Sequence, residues 1–258
     1  MRRMKNKKLK NALSITGYLL LAFAICISGT IVFHNTYYDS VYVSGGSMAP
    51  TLTGSTITMS SSGVEVEEEG SLVDYGIVDS HKAAINNIKR FSIVSTYFPN
   101  DYSAEGVLLG KPNQKIKRVI ALPNETFKIE KSKLYVKRGE EFEYIPYTFD
   151  ILPHVESGDT SKDIGETTLK ENEYWLLGDH RAISHDCGSI DLKRPILKEY
   201  LVGVLVAIEG QATLKLKSCK CEHCNKTFTT GVNCPDCGEQ LVRDFELVNK
   251  KSHWPKYY

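Results

Sequence analysis

The chain has 258 residues, and its hydrophobic fraction of 41% is typical of globular proteins, which excludes wholesale disorder and fibrous folds. Its formal net charge is +1, but six basic residues and no acidic residue fall within the first ten positions. Subtracting those six charges leaves −5 on the rest of the chain, and this mildly acidic body argues against nucleic-acid binding. The six basic residues are Arg2, Arg3, Lys5, Lys7, Lys8 and Lys10.

A long apolar run follows this basic head. Residues 13–33 would extend about 31 Å as a helix, close to the hydrocarbon thickness of a bilayer. A cleaved secretory signal has a shorter apolar core followed by a small-residue cleavage site, whereas the best such site here, Ala22-Phe23-Ala24, lies inside the run. We therefore predict an uncleaved anchor over residues 12–34 behind a cytoplasmic head over 1–11. The clustered positive charges predict a single-pass plasma-membrane protein whose body lies on the outer side.

Beyond the anchor, short β-prone runs alternate with turn residues, which predicts a mainly β body over residues 35–211. Residues 130–133 separate two of these runs closely enough for a hairpin. The body has one predicted helix, at 78–88. The predicted strands are 55–59, 91–97, 116–122, 126–129, 134–136, 174–177 and 201–208.

A glycine-rich loop beyond the anchor contains Ser47. A serine hydroxyl is a poor nucleophile until a base removes its proton. The preceding Gly45 and Gly46 would let a substrate backbone approach closely, and Pro50 would stiffen the turn that follows. Taken alone, a serine in such a loop is more often structural than catalytic.

A candidate base, Lys117, lies in the predicted strand at 116–122. In a strand Lys117, Val119 and Ala121 share one face, and Arg118 points the other way. A lysine held among apolar side chains loses hydration, which lowers its pKa and leaves part of it neutral near pH 7. The more common alternative is a surface lysine with a buried stem. A third segment, 177–186, is a dense polar cluster directly after an apolar strand.

In this order, and behind an N-terminal anchor, the three segments resemble the type I signal peptidases of bacteria. The motifs are Ser-Met-x-Pro-Thr-Leu, Lys-Arg-Val-Ile and Gly-Asp-x-Arg-x-x-Ser-x-Asp. The resemblance implies an antiparallel β body in which Ser47 is the nucleophile, Lys117 is the general base and Ser184 orients the lysine. It also implies ion pairs that brace the site, from Asp179, Arg118, Arg181 and Asp186.

The resemblance further implies acyl transfer without a cofactor, in which neutral Lys117 takes the Ser47 proton and an acyl-enzyme is then hydrolysed. The expected substrates are exported preproteins with small residues at the first and third positions before the cut. Membrane lipid and the protein-export channel are the other expected partners, and nucleic acid is not one. Ser47 follows Phe33 by only fourteen positions, which would keep the site near the outer membrane surface.

Several positions depart from the family pattern. His180 stands where Asn is usual, and Ser92 replaces the Asp of a Gly-Asp-Ile-Val strand. Cys187 and Gly188 stand where many members have Ser and Arg, so the usual partner of Asp186 is missing.

A further departure concerns the oxyanion hole. Gly45 occupies the place where some members carry an oxyanion-binding serine. This leaves the Ser47 backbone N–H as one expected donor, with Ser44 as a candidate for the second.

The composition changes near residue 212, and five of the seven cysteines lie between 219 and 237. Two Cys-x-x-Cys pairs separated by nine residues predict a structural zinc in a zinc-ribbon-like module over 212–258. Two disulfides are the alternative, because this end should lie outside the cell. Cys219 and His223 are possible substitute ligands, and Cys26 lies in the anchor. The predicted zinc ligands are Cys221, Cys224, Cys234 and Cys237.

Two other functions compete with this interpretation. The self-cleaving repressors of the DNA-damage response also use a Ser-Lys pair on a related β fold, but they are cytoplasmic and bind DNA, which the anchor and the acidic body contradict. The second is a catalytically inactive, membrane-anchored zinc-ribbon binding protein on a peptidase-like scaffold. The presence of both Ser47 and Lys117 argues against that loss of activity.

Overall fold

The computed structural model describes residues 2–60, 63–99, 114–131, 133–146, 163–189 and 192–257. In the first helix, side chains are described at position 16 and from 18 onward, so the basic side chains of the predicted head lie outside the described residues. The chain divides into two compact units, Met1–Asp39 and Ser40–Tyr258.

The first unit consists of helix α1 (Arg2–Tyr37), which contains the predicted anchor. Its segment Tyr18–Tyr37 is long and apolar enough to cross a membrane, and none of this window is buried inside the protein. The hydroxyls of Ser28, Thr30 and Thr36 donate to backbone carbonyls three or four residues earlier. These polar groups are therefore satisfied within the helix, as a lipid-exposed segment requires.

The described part of the second unit is built from antiparallel strands and one short α-helix. The helix is α2 (Lys82–Asn86), and a 3₁₀ helix spans Lys198–Tyr200. The strands are β1 (Tyr38–Tyr42), β2 (Ile57–Met59), β3 (Glu65–Glu67), β4 (Leu72–Asp79), β5 (Ile93–Thr96), β6 (Lys115–Ala121), β7 (Thr126–Glu130), β8 (Lys133–Arg138), β9 (Glu141–Ile145), β10 (Ile164–Thr168), β11 (Glu173–Leu177), β12 (Ile196–Leu197), β13 (Leu201–Cys221), β14 (Lys226–Phe228) and β15 (Val242–Tyr257).

These strands form one large sheet and two smaller ones. The large sheet has the order β1-β4-β13-β5-β6-β11-β12, and β14 and β15 also pair with β13. A four-stranded sheet has the order β10-β7-β8-β9, and β2 pairs with β3. Strand β13 is 21 residues long and changes register with its neighbours at several bulges. Such bulges bend a strand, and β13 pairs with β4 and β5 as well as with β14 and β15.

The larger apolar core contains buried residues of the large sheet and of the four-stranded sheet. Ile120 and Trp175 come from the first, and Phe127 and Leu134 from the second. The rings of Phe127 and Trp175 are 5.3 Å apart between centroids. Burying each such side chain contributes about 1.5–3 kcal/mol, so this core holds the two sheets together.

The mainly β fold class is confirmed, but the body helix predicted at 78–88 is wrong at its start. Val78 and Asp79 end β4, and the helix covers only Lys82–Asn86. Val78 pairs with Leu205 of β13 and is fully buried, so sheet pairing overrides the local helical pattern. The predicted boundary between residues 211 and 212 lies within the unbroken strand β13. A separate module over 212–258 stays a prediction.

Candidate active site and cysteine cluster

The loop that carries Ser47 is anchored by the apolar residues of its own motif. Met48 and Leu52 are almost completely buried against Val78, Ile93 and Leu205 of the sheet. The Leu52 N–H donates to the Met48 carbonyl at 3.1 Å, which closes a tight turn directly after Ser47. The serine is thereby held half-buried at the edge of this cluster.

Lys117 lies beside this serine, with its Nζ 2.7 Å from Ser47 Oγ. Strand β6 places it there through pairing with β5, where Lys117 lies opposite Val94. The lysine is only 4% exposed, and this burial lowers its pKa from 10.5 to about 8. The negative charge of Asp186 opposes the shift but does not cancel it. A large part of the amine is therefore neutral at mildly alkaline pH.

The third segment packs against the serine residue itself. The His180 N–H donates to the Ser47 carbonyl at 3.0 Å. Gly178 lies so close to the same carbonyl that an added Cβ would stand 2.5 Å from its oxygen and would also collide with the Ser184 side chain. Position 178 therefore requires glycine for space, which explains the Gly-Asp start of the motif.

Ser184 lies in this segment, 3% exposed, and its backbone N–H donates to the His180 carbonyl at 3.0 Å. Its hydroxyl makes no hydrogen bond to Lys117; it lies near the Asp186 carboxylate and helps to lower the pKa of Asp186. The predicted role of Ser184 in orienting the lysine stays a prediction.

Arg118 and Asp179 form a bidentate ion pair beside the Ser47–Lys117 pair. Arg118 Nε donates to Asp179 Oδ1 at 2.8 Å and Nη2 donates to Oδ2 at 2.6 Å, and both side chains are buried. Thr51 Oγ1 donates to the same carboxylate at 2.5 Å. The threonine of the serine motif thus ties the Ser47 loop to the other two motifs. This role was not identified from the sequence, although Thr51 stands inside the motif.

Asp186 has a partner although the usual position, Gly188, carries no side chain. Arg181 Nη1 donates to Asp186 Oδ2 at 2.6 Å, and the N–H groups of Gly178 and Gly188 donate to the carboxylate at 2.9 and 3.0 Å. Burial alone would raise the pKa of Asp186, but Arg181 and these donors hold that pKa below its usual value. A Cβ at Gly188 would lie 3.0 Å from Arg181 Nη2, so glycine leaves room for the guanidinium.

The segment before Ser47 bears on the oxyanion hole. The Gly45 N–H donates to Ser55 Oγ at 3.1 Å and is therefore engaged within the protein. Ser44 is exposed, and its Oγ lies 3.4 Å from Ser55 Oγ. The assignments of the Ser47 N–H and of Ser44 as oxyanion donors stay predictions.

The four cysteines of the two Cys-x-x-Cys pairs converge. Their sulfur atoms all lie within 4.8 Å of one another, and the sulfurs of Cys221 and Cys237 are 3.6 Å apart. Four thiolates around zinc with bonds of about 2.3 Å would be separated by about 3.8 Å, whereas a disulfide requires about 2.05 Å. The residue after each pair, Asn225 or Gly238, has a positive φ of 54° or 80°. Both turns therefore curl in the same way, and the donor set fits a tetrahedral metal ion.

The other cysteines and His223 lie outside this group of four. The Cys219 thiol is buried, 3.5 Å from the Gly231 carbonyl, and His223 Nδ1 lies 3.7 Å from the Cys224 sulfur. Burial raises the pKa of the Cys187 thiol to about 12, so this cysteine is unreactive at neutral pH.

Comparison with known proteins gives consistent matches. Residues 15–208 match the family described as signal peptidase, peptidase S26. Signal peptidase I V of Bacillus subtilis (strain 168) is 26% identical over 194 residues, which cover 73% of this chain and 95% of that protein. A crystal structure of a signal peptidase I from Enterococcus faecalis V583 is 19% identical, with a TM-score of 0.34, and covers 46% of this chain and 97% of that chain. The family match ends before the first cysteine of the cluster.

Proposed function

Since the chain belongs to the signal peptidase family, peptidase S26, we propose that it is a membrane-bound serine endopeptidase that removes signal peptides from exported preproteins. The observation that supports a Ser-Lys dyad most strongly is the 2.7 Å separation of Ser47 Oγ and Lys117 Nζ inside a buried environment. A chance contact between a surface serine and a surface lysine would not combine this distance with an almost fully buried amine.

The proposed reaction is acyl transfer through the serine. The neutral amine of Lys117 takes the Ser47 proton while Oγ forms a bond to the scissile carbonyl carbon. The resulting ammonium donates its proton to the leaving amine as the peptide C–N bond breaks, which leaves an ester on Ser47. Lys117 then takes a proton from the water that attacks the ester, and it returns this proton to Ser47 Oγ as the ester C–O bond breaks and the signal peptide leaves as a carboxylic acid. Backbone N–H groups would stabilise the oxyanion in both steps.

The surrounding residues support this chemistry in two ways. Burial keeps the amine of Lys117 partly neutral, as a general base requires. The Arg118–Asp179 pair joins the strand of the base to the polar segment, and Thr51 joins the serine loop to the same carboxylate. A serine and a lysine from distant parts of the chain are thereby held at fixed separation, which is the main requirement for intramolecular proton transfer.

The proposed location follows from the anchor. The basic residues before the span favour a cytoplasmic N-terminus, with the catalytic unit on the outer side of the plasma membrane. Preproteins leaving the export channel would present their cleavage sites on that side. The proposed specificity, for small residues at the first and third positions before the cut, follows the family.

A cleavage assay tests the proposal. Membranes containing the wild-type chain should cleave a model preprotein, and membranes containing Ser47→Ala should not, although the variant remains membrane-bound and folded. Ser60→Ala is a suitable control, because Ser60 lies between β2 and β3, outside the proposed dyad. Substantial turnover by Ser47→Ala would disprove the nucleophile, and an inactive wild type would favour a binding protein on a peptidase scaffold.

We also propose that Cys221, Cys224, Cys234 and Cys237 bind one structural zinc ion as thiolates. Such an ion would link the two turns through their four sulfurs, and it would shield the sulfurs from oxidants. Elemental analysis should find about one zinc ion per purified chain. The zinc content should fall in Cys237→Ser and stay the same in Cys26→Ser. Absence of zinc, together with a mass lower by two hydrogen atoms for each cysteine pair, would establish disulfides instead.

A further inference from the structure

We propose that a hydrogen-bonded path from Arg243 through Glu67 and Ser55 to Gly45 positions the loop that carries Ser47. Glu67 and Arg243 would then be positioning residues for peptide cleavage, and Arg243 belongs to the strand that follows the cysteine cluster. This inference rests on the proposed function, because it concerns the rate of that reaction.

The path ends at Gly45, two residues before the serine. The Gly45 N–H donates to Ser55 Oγ at 3.1 Å, and Ser55 is buried. Gly45 has a φ of 71°, which glycine adopts without strain. Gly54 packs directly on the Gly45 carbonyl, where an added Cβ would overlap the oxygen. The peptide groups on both sides of Gly45 are therefore fixed, and the course of the chain into Ser47 depends on them.

Glu67 decides how the Ser55 hydroxyl is oriented. This hydroxyl has one proton, which it donates to Glu67 Oε1, so that a lone pair faces the Gly45 N–H. The Tyr42 hydroxyl donates to the other carboxylate oxygen at 3.2 Å. Burial and the charge of Glu67 raise the pKa of Tyr42, so it remains a donor at physiological pH. Without the carboxylate, the Ser55 hydroxyl could turn toward Ser44 Oγ, which lies 3.4 Å away.

Arg243 holds the backbone of Glu67. Its Nη1 donates to the Glu67 carbonyl oxygen at 2.6 Å. In the pairing of β13 with β15, Arg243 lies opposite Cys219, two residues before Cys221. Leu241, two residues before Arg243, is buried among the cysteines. The position of the guanidinium, and with it that of β3, is therefore set by the cysteine-bearing end of the chain.

Backbone contacts near Glu67 strengthen this connection. The Gly70 N–H donates to the Leu214 carbonyl at 2.8 Å, and the Leu214 N–H donates to the Ser71 carbonyl at 2.9 Å. The segment that follows β3 is thus docked on β13 beyond residue 208, where the family match ends. A part of the chain outside the matched region supports the loop of the proposed nucleophile.

Small displacements of a nucleophile have large kinetic effects, because the attacking atom must lie near its target in the right direction. We expect Glu67→Ala and Ser55→Ala to lower kcat roughly tenfold with little change in KM. Arg243→Ala should have a similar effect, and Arg243→Lys should restore part of the rate because lysine can still donate to a carbonyl. Glu65→Ala in the same strand and Glu246→Ala in β15 are matched controls and should behave as wild type.

Hydrogen exchange provides a readout that does not depend on activity. In Glu67→Ala and Arg243→Ala, the backbone N–H of Gly45 should exchange faster than in wild type, while the N–H groups of β6 keep their protection. Wild-type kcat together with wild-type exchange at Gly45 in Glu67→Ala and Ser55→Ala would overturn the proposed path. An inactive wild type, or an active Ser47→Ala, would instead disprove the proposed function, and exchange at Gly45 would still decide whether the path holds the loop.

Discussion

The Ser47–Lys117 site and the cysteine cluster differ in how far apart along the chain their members lie. Ser47 and Lys117 are 70 positions apart, and Arg118 and Asp179 are 61 apart, whereas Cys221 and Cys237 are separated by only 16. The first site therefore exists only when the large sheet has formed. The second needs two short turns and, by our proposal, a metal ion.

The two regions also differ in whether their ion pairs are buried or exposed to solvent. The Arg118–Asp179 pair beside the dyad is buried, with side chains 4% and 2% exposed, whereas Lys226 and Asp236 near the cysteines are 60% and 43% exposed. A buried charge must find a partner, while an exposed one is solvated by water. Burial is also what changes the chemistry of Lys117. A lysine that acts as a general base thus requires a deeply buried position, whereas the ion pair at the cysteine turns is open to solvent.

The largest expected effect is a loss of peptide cleavage that leaves the cysteine cluster unchanged. Lys117→Ala should lower cleavage by at least about 10³-fold, because the serine loses its base and the dyad acts as a unit. The same variant should retain its zinc, since the cysteine sulfurs are held by other residues. Preprotein cleavage and elemental analysis on one preparation check both statements, with Lys133→Ala as the control. Cleavage within tenfold of wild type would contradict the assignment of the base.

A second prediction compares how much the buried and the exposed ion pair contribute to the free energy of unfolding. Asp179→Ala should lower the free energy of unfolding by about 3–5 kcal/mol, because it leaves Arg118 buried without its partner. Asp236→Ala removes the exposed pair with Lys226 and should leave the unfolding midpoint unchanged within error. Denaturant titration of the two variants measures the difference. Equal losses would mean that burial does not distinguish the two regions.

The pH dependence of cleavage tests whether burial lowers the pKa of Lys117. The pKa of Lys117 is lowered from 10.5 to about 8, so the protonated, inactive amine predominates below that pH. We expect kcat/KM to rise about tenfold per pH unit below pH 8 and to level off above it. Measurements of kcat/KM from pH 5 to 10 check this. A flat profile down to pH 5 would indicate a different base, and His180 and His185 would then be the first to substitute.

The smallest expected effect concerns Ser184. Ser184→Ala should lower kcat by about tenfold, because this residue would orient Lys117 without transferring the proton itself. Thr227→Ala, which removes an exposed hydroxyl from β14 near the cysteines, should have no effect. If Ser184→Ala cleaves as fast as wild type, the role implied by the family motif is wrong for this chain.

The family predicted from the three motifs is confirmed, and so is the mainly β fold. Most of the predicted strands lie within two residues of the observed ones, because alternation and β-branched residues are local signals. Strand β13 is the main exception. The sequence predicts it over 201–208, yet it continues to Cys221. Residues 212–217 alternate apolar and polar side chains, a strand pattern that the prediction missed, and pairing with β15 continues the strand to the cysteines.

The sequence by itself predicted which residues could carry chemistry, because those predictions depend on residue type and spacing. Short motifs predicted Ser47 and Lys117 as the dyad, and two close pairs predicted the cysteines that we propose as zinc ligands. Only the tertiary structure decided which partners these residues meet. Arg181 pairs with Asp186, Thr51 joins Asp179, and Arg243 reaches Glu67. Most such partners come from distant positions, and a hydrogen bond between them depends on how the sheet pairs and not on any local pattern.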